Sequence, residues 1–233
     1  KTTIVNGILA LYEQMGLSCV LAAPTGRAAK RMTEVTGKDA STIHRLLEAG
    51  IDPHTGNLVF ARDESNPLKT DAVIVDEMSM VDVLLLDSLL RAVPEHARLI
   101  LVGDPDQLPP VGPGFPFGDM LRSGVLPSVR LTEIFRQAQQ SLIVMNAHRV
   151  NQGEMPDLKN VKSDFFFLPC RSDAEVQQTV VGLCATRLPK NMGIPPDQIQ
   201  VLTPTKKGAA GTANLNKLLQ ASLTPPSPAK KER

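Results

Sequence analysis

Two adjacent carboxylates, Asp76 and Glu77, end a run of four apolar residues, 72–75 (AVIV). Such a run reads as a strand covered on both faces, the pattern of a parallel sheet clothed in helices. The carboxyl end of a strand in an open α/β sheet is where ligands bind, so the acid pair marks a candidate site. By itself it would equally suit the start of the next helix. A second pair of residues adds weight. Lys1-Thr2-Thr3 runs directly into a segment with Ile4, Val5, Ile8, Leu9, Leu11 and Tyr12 at helical spacing. A lysine and a hydroxyl at the start of a helix are the last letters of the phosphate-binding loop G-x-x-x-x-G-K-[ST]. In that role Lys1 reaches the β- and γ-phosphates, Thr2 holds Mg²⁺, and the helix N-terminus adds its positive end. The wrapping glycines are not present and no Met opens the chain, so the sequence reads as a fragment that starts inside a motif.

Two further apolar runs end in polar groups. Residues 17–23 (LSCVLAA) lead into Pro24-Thr25-Gly26-Arg27, and a helix over 28–36 follows, closed by Gly37. That turn offers a hydroxyl and free backbone donors to a phosphate, with Arg27, Lys30 and Arg31 nearby; an ordinary strand-to-helix turn with a solvated basic face would look the same. Residues 98–102 (RLILV) lead into Gly103-Asp104-Pro105-Asp106-Gln107. Gln107, both donor and acceptor, suits sensing a phosphate or orienting a water. Ser41 or Thr42 caps a short helix containing His44, which has no Cys or His at ligand spacing and is read as a hydrogen-bonding residue. Residues 50–70 hold a turn cluster around Pro53, Gly56 and Asn57, read as a small hairpin or loop inserted into the sheet. Leu84, Leu85, Leu86, Leu89 and Leu90 are read as core packing.

Composition narrows the class. The chain has 233 residues, enough for one large or two small domains, and a formal net charge of +1, so any nucleic-acid contact must be local. Its three cysteines, Cys19, Cys170 and Cys184, have neither metal-ligand spacing nor a disulfide framework, which suits a reducing, cytoplasmic interior. Every apolar run falls far short of the roughly 20 residues of a membrane span.

In order along the chain, Lys1-Thr2, Ala23-Pro24-Thr25-Gly26-Arg27, Thr42-Ile43-His44-Arg45, Val75-Asp76-Glu77-Met78-Ser79-Met80 and Gly103-Asp104-Pro105-Asp106-Gln107 resemble the motifs of superfamily-one DNA helicases of the RecD-like group. Thr132-Glu133-Ile134-Phe135-Arg136 is similar to their arginine-bearing fourth motif, and Thr203-Pro204-Thr205 with Lys206-Lys207-Gly208 to the nucleic-acid face of their second motor domain. The resemblance implies an α/β fold of tandem RecA-like P-loop NTPase domains with parallel sheets flanked by helices. It divides the chain into a first domain at 1–127 and an incomplete second at 128–223, and the Pro- and charge-rich residues 224–233 read as a disordered tail.

It also implies an ATP hydrolase and DNA helicase using ATP and Mg²⁺, acting on single-stranded DNA and duplex junctions, moving 5′ to 3′. Lys1, Thr2 and Thr3 then bind nucleotide, with Thr2 and Asp76 on the metal. Glu77 positions the attacking water, Gln107 reports the γ-phosphate, and Arg136 neutralises transition-state charge. Pro24, Thr25, Arg27, His44, Thr203, Pro204 and Thr205 grip one strand's backbone without reading bases. The 50–70 insertion occupies the place of a strand-splitting pin. The fragment alone is expected to unwind little, since the family's later motifs do not appear. Rival readings are a P-loop ATPase not driven by DNA and a DNA-binding module without catalysis. The pathway stays open among repair, a recombination complex and conjugative transfer.

In the second half, 129–131, 164–168 and 199–203 are expected as strands, 141–151 and 174–187 as helices. Phe165-Phe166-Phe167 is expected in the core, because three consecutive strand residues cannot all face one way to stack bases.

Overall fold

The computed structural model describes residues 2–131, 140–159 and 164–224. They fall into two compact units, 1–133 and 134–233. Lys1, Arg136 and the tail from 225 onward lie outside the described residues.

Unit 1 is a three-layer α/β structure. A parallel four-stranded sheet, in the order β2-β1-β5-β6, is built from β1 (Cys19–Ala23), β2 (Ala40–Thr42), β5 (Ala72–Val75) and β6 (Arg98–Leu101). β5 pairs on both sides, Ile74 opposite Leu21 of β1 and Ile100 of β6, and all four of its residues are buried. Side chains alternate across a strand, and the two apolar clusters follow that alternation. Val73 and Val75 pack with Ile43, Leu89 and Phe117, whereas Ile74 packs with Val5, Leu9, Leu21 and Met32. The first cluster is roofed by α3 (Ile43–Leu46), α4 (Val83–Ala92) and α5 (Pro116–Ser123), the second by α1 (Thr2–Gln14) and α2 (Gly26–Thr36).

Local chemistry sets the boundaries. Thr25 caps α2 by accepting from the Ala28 N–H, and Gly37 ends it at φ 70°, a left-handed turn that costs glycine little. Thr42 caps α3 through the Arg45 N–H, and Asp82 caps α4 through the Leu85 N–H. A three-residue strand, β2, stands where the sequence showed only a helix cap, because Ala40–Thr42 pair in parallel with Leu21–Ala23. The 50–70 insertion contains an antiparallel hairpin of β3 (Ala49–Ile51) and β4 (Leu58–Phe60). Of the leucines expected in the core, Leu86 and Leu89 are buried but Leu84 and Leu90 are 65% and 50% exposed, since α4 shows the sheet only one stripe. β6 is half-buried and not fully covered, as befits its place at the sheet edge.

Behind the carboxyl edge, Ser18 and Asp71 lock the entries of β1 and β5 together. The Ser18 N–H and hydroxyl donate to Asp71 Oδ2 at 2.7 and 2.6 Å, and the Asp71 N–H returns a bond to the Ser18 hydroxyl. The Ser18 hydroxyl, followed by its backbone N–H, holds the Asp71 carboxyl below its ordinary value, with His96 and Arg98 adding charge. A depressed folded-state value means that this stabilisation is complete above the unfolded carboxylate value of about 3.9 and disappears as pH falls through the folded one. Urea unfolding should therefore show Asp71→Asn less stable than wild type near neutral pH, with the gap closing on acidification. A gap independent of pH would refute the ionic part of this lock.

Unit 2 is helical among its described residues. It contains α6 (Leu142–Asn151), capped by Ser141, then α7 (Asp173–Gly182), which continues through a π-turn at Leu183–Arg187 into α8 (Leu188–Met192), and α9 (Thr212–Leu223). The strands expected at 129–131, 164–168 and 199–203 are not seen among the described residues, and Val129 is 91% exposed. Phe166 and Phe167, at 52% and 40% exposed, are not core, while Phe165 is half-buried. Asn146 is the buried polar anchor of this unit, bonding both the N–H and the carbonyl of Asp157.

Burial pushes the Cys19 thiol up to about 11, and raises Cys184 as well, so neither is a thiolate nucleophile at neutral pH. All three cysteines are free. No described helix is long and apolar enough to cross a membrane.

Candidate active site

Because the four strands are parallel and in close register, their carboxyl ends open on one edge. β1 delivers Pro24, Thr25 and Arg27; β2 leads into α3 and His44; β5 delivers Asp76 and Glu77; β6 delivers Gly103 to Gln107. α1 starts at the same edge, since it runs antiparallel to the strand it precedes, and Thr2 and exposed Thr3 are its first residues. The sequence-assigned residues of the first unit, Lys1 excepted, are thus gathered by topology alone.

The acid pair sits in a cleft of about 120 Å³ that opens between α1 and α2, with Val5, Arg31, Met32 and Val35 among its walls. Asp76 and Glu77 are half-buried. The Asp76 N–H donates to the Ala22 carbonyl at 3.0 Å, which ties the end of β5 to β1, and Asp76 Oδ1 accepts the Glu77 N–H at 2.8 Å. Glu77 adopts φ 56° and ψ 40°, a left-handed conformation unusual for a residue with a Cβ. Strain of that kind costs on the order of 1–3 kcal/mol and persists only where the surroundings impose it. Here the next residue imposes it: the Met78 N–H reaches the Val102 carbonyl at 3.0 Å and the Met78 side chain is fully buried. The chain must turn sharply after Asp76 to do both, and Glu77 is the residue that turns.

An oxygen-only donor set suits a hard divalent cation such as Mg²⁺, which takes one or two carboxylates and completes its shell with water and phosphate oxygens. Asp76, oriented by the Glu77 N–H, fits that requirement. Among the described residues no three Cys, His, Asp or Glu side chains converge as a closed metal cage.

The β6 loop is held against this turn. Asp104 accepts the Asp106 N–H on its carboxylate and the Gln107 N–H on its carbonyl. Gly103 permits the approach of α5, since a Cβ there would lie 2.7 Å from a Phe117 ring carbon. Gln107 is exposed, and its Oε1 accepts the Ser79 hydroxyl at 3.3 Å. Ser79 belongs to a motif quoted from the sequence but received no role there; its burial is visible only in the fold.

The remaining candidates are placed as follows. Thr25 uses its hydroxyl oxygen to cap α2 through the Ala28 N–H, with Gly26 and Arg27 exposed beside it. His44 is half-buried with its ring 5.9 Å from that of Phe60, so the hairpin leans on it. Arg31, a generic basic residue in the sequence, lines the cleft of the acid pair. In unit 2, the Thr203 hydroxyl donates to the Ala210 carbonyl, and the Thr205 carbonyl accepts the Thr212 N–H, winding 203–211 onto the start of α9 with Pro204 exposed.

The AAA domain family matches residues 1–113. Over 225 residues the chain is 38% identical to the ATP-dependent RecD2 DNA helicase of Deinococcus radiodurans, covering 97% of this chain and 29% of that protein. It is 40% identical over 144 residues to the RecD subunit of the RecBCD enzyme of Mycolicibacterium smegmatis, 52% of this chain and 26% of that protein. A crystal structure of Bacteroides Pif1 bound to ssDNA aligns with 80% of this chain and 50% of its own at a TM-score of 0.42 and 22% identity. The chain therefore spans less than a third of the length of these two relatives. Ordered motifs and similarity along nearly the whole sequence place this chain in the RecD-like group of superfamily-one helicases.

Proposed function

We propose that this chain carries the nucleotide-hydrolysing part of an ATP-dependent DNA helicase. The observation that supports it most is the shared edge: the turn that follows the acid pair of β5 is bonded through Met78 to Val102 and through Ser79 to Gln107 at the end of β6, and the Pro24-Thr25-Arg27 turn opens beside them. Bound Mg²⁺-ATP would supply the phosphoryl group and its countercharge. Around it, Lys1, Thr2 and Thr3 bind phosphates from the start of α1, and Asp76 holds the cation. Glu77 positions water for in-line attack, Gln107 contacts the γ-phosphate, and Arg136 offsets charge in the transition state. In this reading 1–127 and 128–223 are two RecA-like halves, the second incomplete. Pro24, Thr25, Arg27 and His44 from the first, with Thr203, Pro204 and Thr205 from the second, hold a single strand by its backbone, and movement is 5′ to 3′.

ATP hydrolysis by the full-length protein should rise on addition of single-stranded DNA. Hydrolysis indifferent to DNA would favour a different P-loop ATPase, and absence of hydrolysis a binding module. The hairpin of β3 and β4 presents Ile51, Leu58 and Val59 to solvent and is braced at its base by the Arg62–Glu48 ion pair at 2.7 Å. As a strand-splitting pin it would be dispensable for translocation and required for unwinding, so its deletion in the same protein should separate the two; parallel loss of both would exclude that role.

A further inference from the structure

The geometry points to Ser79 as a positioning residue for the Gln107 amide, a role that rests on the motor reading above. Gln107 lies on an exposed loop, and a free glutamine side chain has many rotamers, whose loss on fixing the amide is unfavourable. A sensor of phosphate works best if that cost is met before nucleotide arrives. Ser79 meets it. Its side chain is 0% exposed, so its hydroxyl requires a partner inside the protein, and the bond recorded for it runs to Gln107 Oε1 at 3.3 Å. With the carbonyl oxygen engaged, the amide nitrogen of Gln107 is left with its two donors, the polarity that an anionic phosphate oxygen requires.

The anchor is itself rigid. Ser79 sits in a 3₁₀ turn, Met78–Met80, whose first N–H is bonded to Val102 and whose Met80 N–H returns to the Glu77 carbonyl. One residue, Met78, separates Ser79 from Glu77, so the water-positioning carboxylate and the phosphate-sensing amide belong to one bonded unit. A change in the Gln107 contact on hydrolysis is thereby passed to the turn that holds Glu77 without an intervening flexible segment.

A double-mutant cycle in the full-length protein tests this. Ser79→Ala should lower kcat for DNA-stimulated ATP hydrolysis about three- to tenfold, the scale of one hydrogen bond, with KM for ATP unchanged. In a Gln107→Ala background the same substitution should change kcat less than twofold, because the group it positions is gone. A merely structural serine would lower Tm and depress kcat equally in both backgrounds, which overturns the proposal. If Ser79→Ala does not fold, Ser79→Cys, close in volume but a far weaker donor, carries the same prediction. Absence of DNA-stimulated hydrolysis in the wild type overturns the motor reading and this one together; an additive cycle on an active wild type overturns this one alone.

Discussion

Glu77→Gln is expected to reduce ATP hydrolysis by about 10²-fold or more while nucleotide still binds, because positioned acid–base groups typically contribute 10²- to 10⁴-fold. The substitution isolates the carboxylate from everything else Glu77 does. Glutamine has the same shape, keeps the backbone at φ 56° and leaves intact both the Met80 N–H bond to the residue 77 carbonyl and the bond from the residue 77 N–H to Asp76. What it loses is the charge and a pure acceptor facing the cleft. Nucleotide affinity should hold because Asp76, not Glu77, is the acid proposed to hold the metal. Steady-state hydrolysis with single-stranded DNA, beside binding of a fluorescent ATP analogue, measures both quantities. Hydrolysis within about threefold of wild type would remove Glu77 from the chemistry and leave its strained turn without a catalytic explanation.

Ile74→Ala should destabilise unit 1 by about 2–5 kcal/mol, the range for removing a large aliphatic side chain from a packed core. Ile74 is 0% exposed at the middle of the only strand that, among the described residues, joins two others in register through all four of its positions. Its side chain meets Val5 and Leu9 of α1 and Met32 of α2, the two helices that wall the cleft. A void there cannot be filled by collapse of one helix without shifting the other. Urea unfolding reads the loss directly. Leu84→Ala, on the outer face of α4, serves as the contrast and should stay within about 0.5 kcal/mol. Equal losses at the two positions would mean that the exposed face of α4 is covered in solution.

These expectations draw on the two sources of information unequally. The elements around Asp76 were legible from the chain because their signals are local. A four-residue apolar run can only be covered on both faces, and Gly37 closes α2, whereas the caps by Thr25 and Asp82 emerge only in the structure. Family motifs spaced along the same stretch named the candidate residues. The second half misled where its apolar triplets and quintets looked like strands: residues 129–131, 164–168 and 199–203 have strand-forming composition but are not strands among the described residues. Strand formation is a property of pairs, and composition reports on only one member.

Residue type and spacing along the chain determined which groups could do chemistry, because hydrophobic period, caps and a phosphate motif are encoded within a few residues of one another. Whether those groups meet depends on parallel register between strands up to some 50 residues apart, Leu21 opposite Ile74 for instance, and no local pattern states that register. The left-handed turn of Glu77 and the bond from buried Ser79 to Gln107 belong to the same class. Both arise because Met78 must satisfy Val102 and the core at once, a demand that exists only after the sheet has formed.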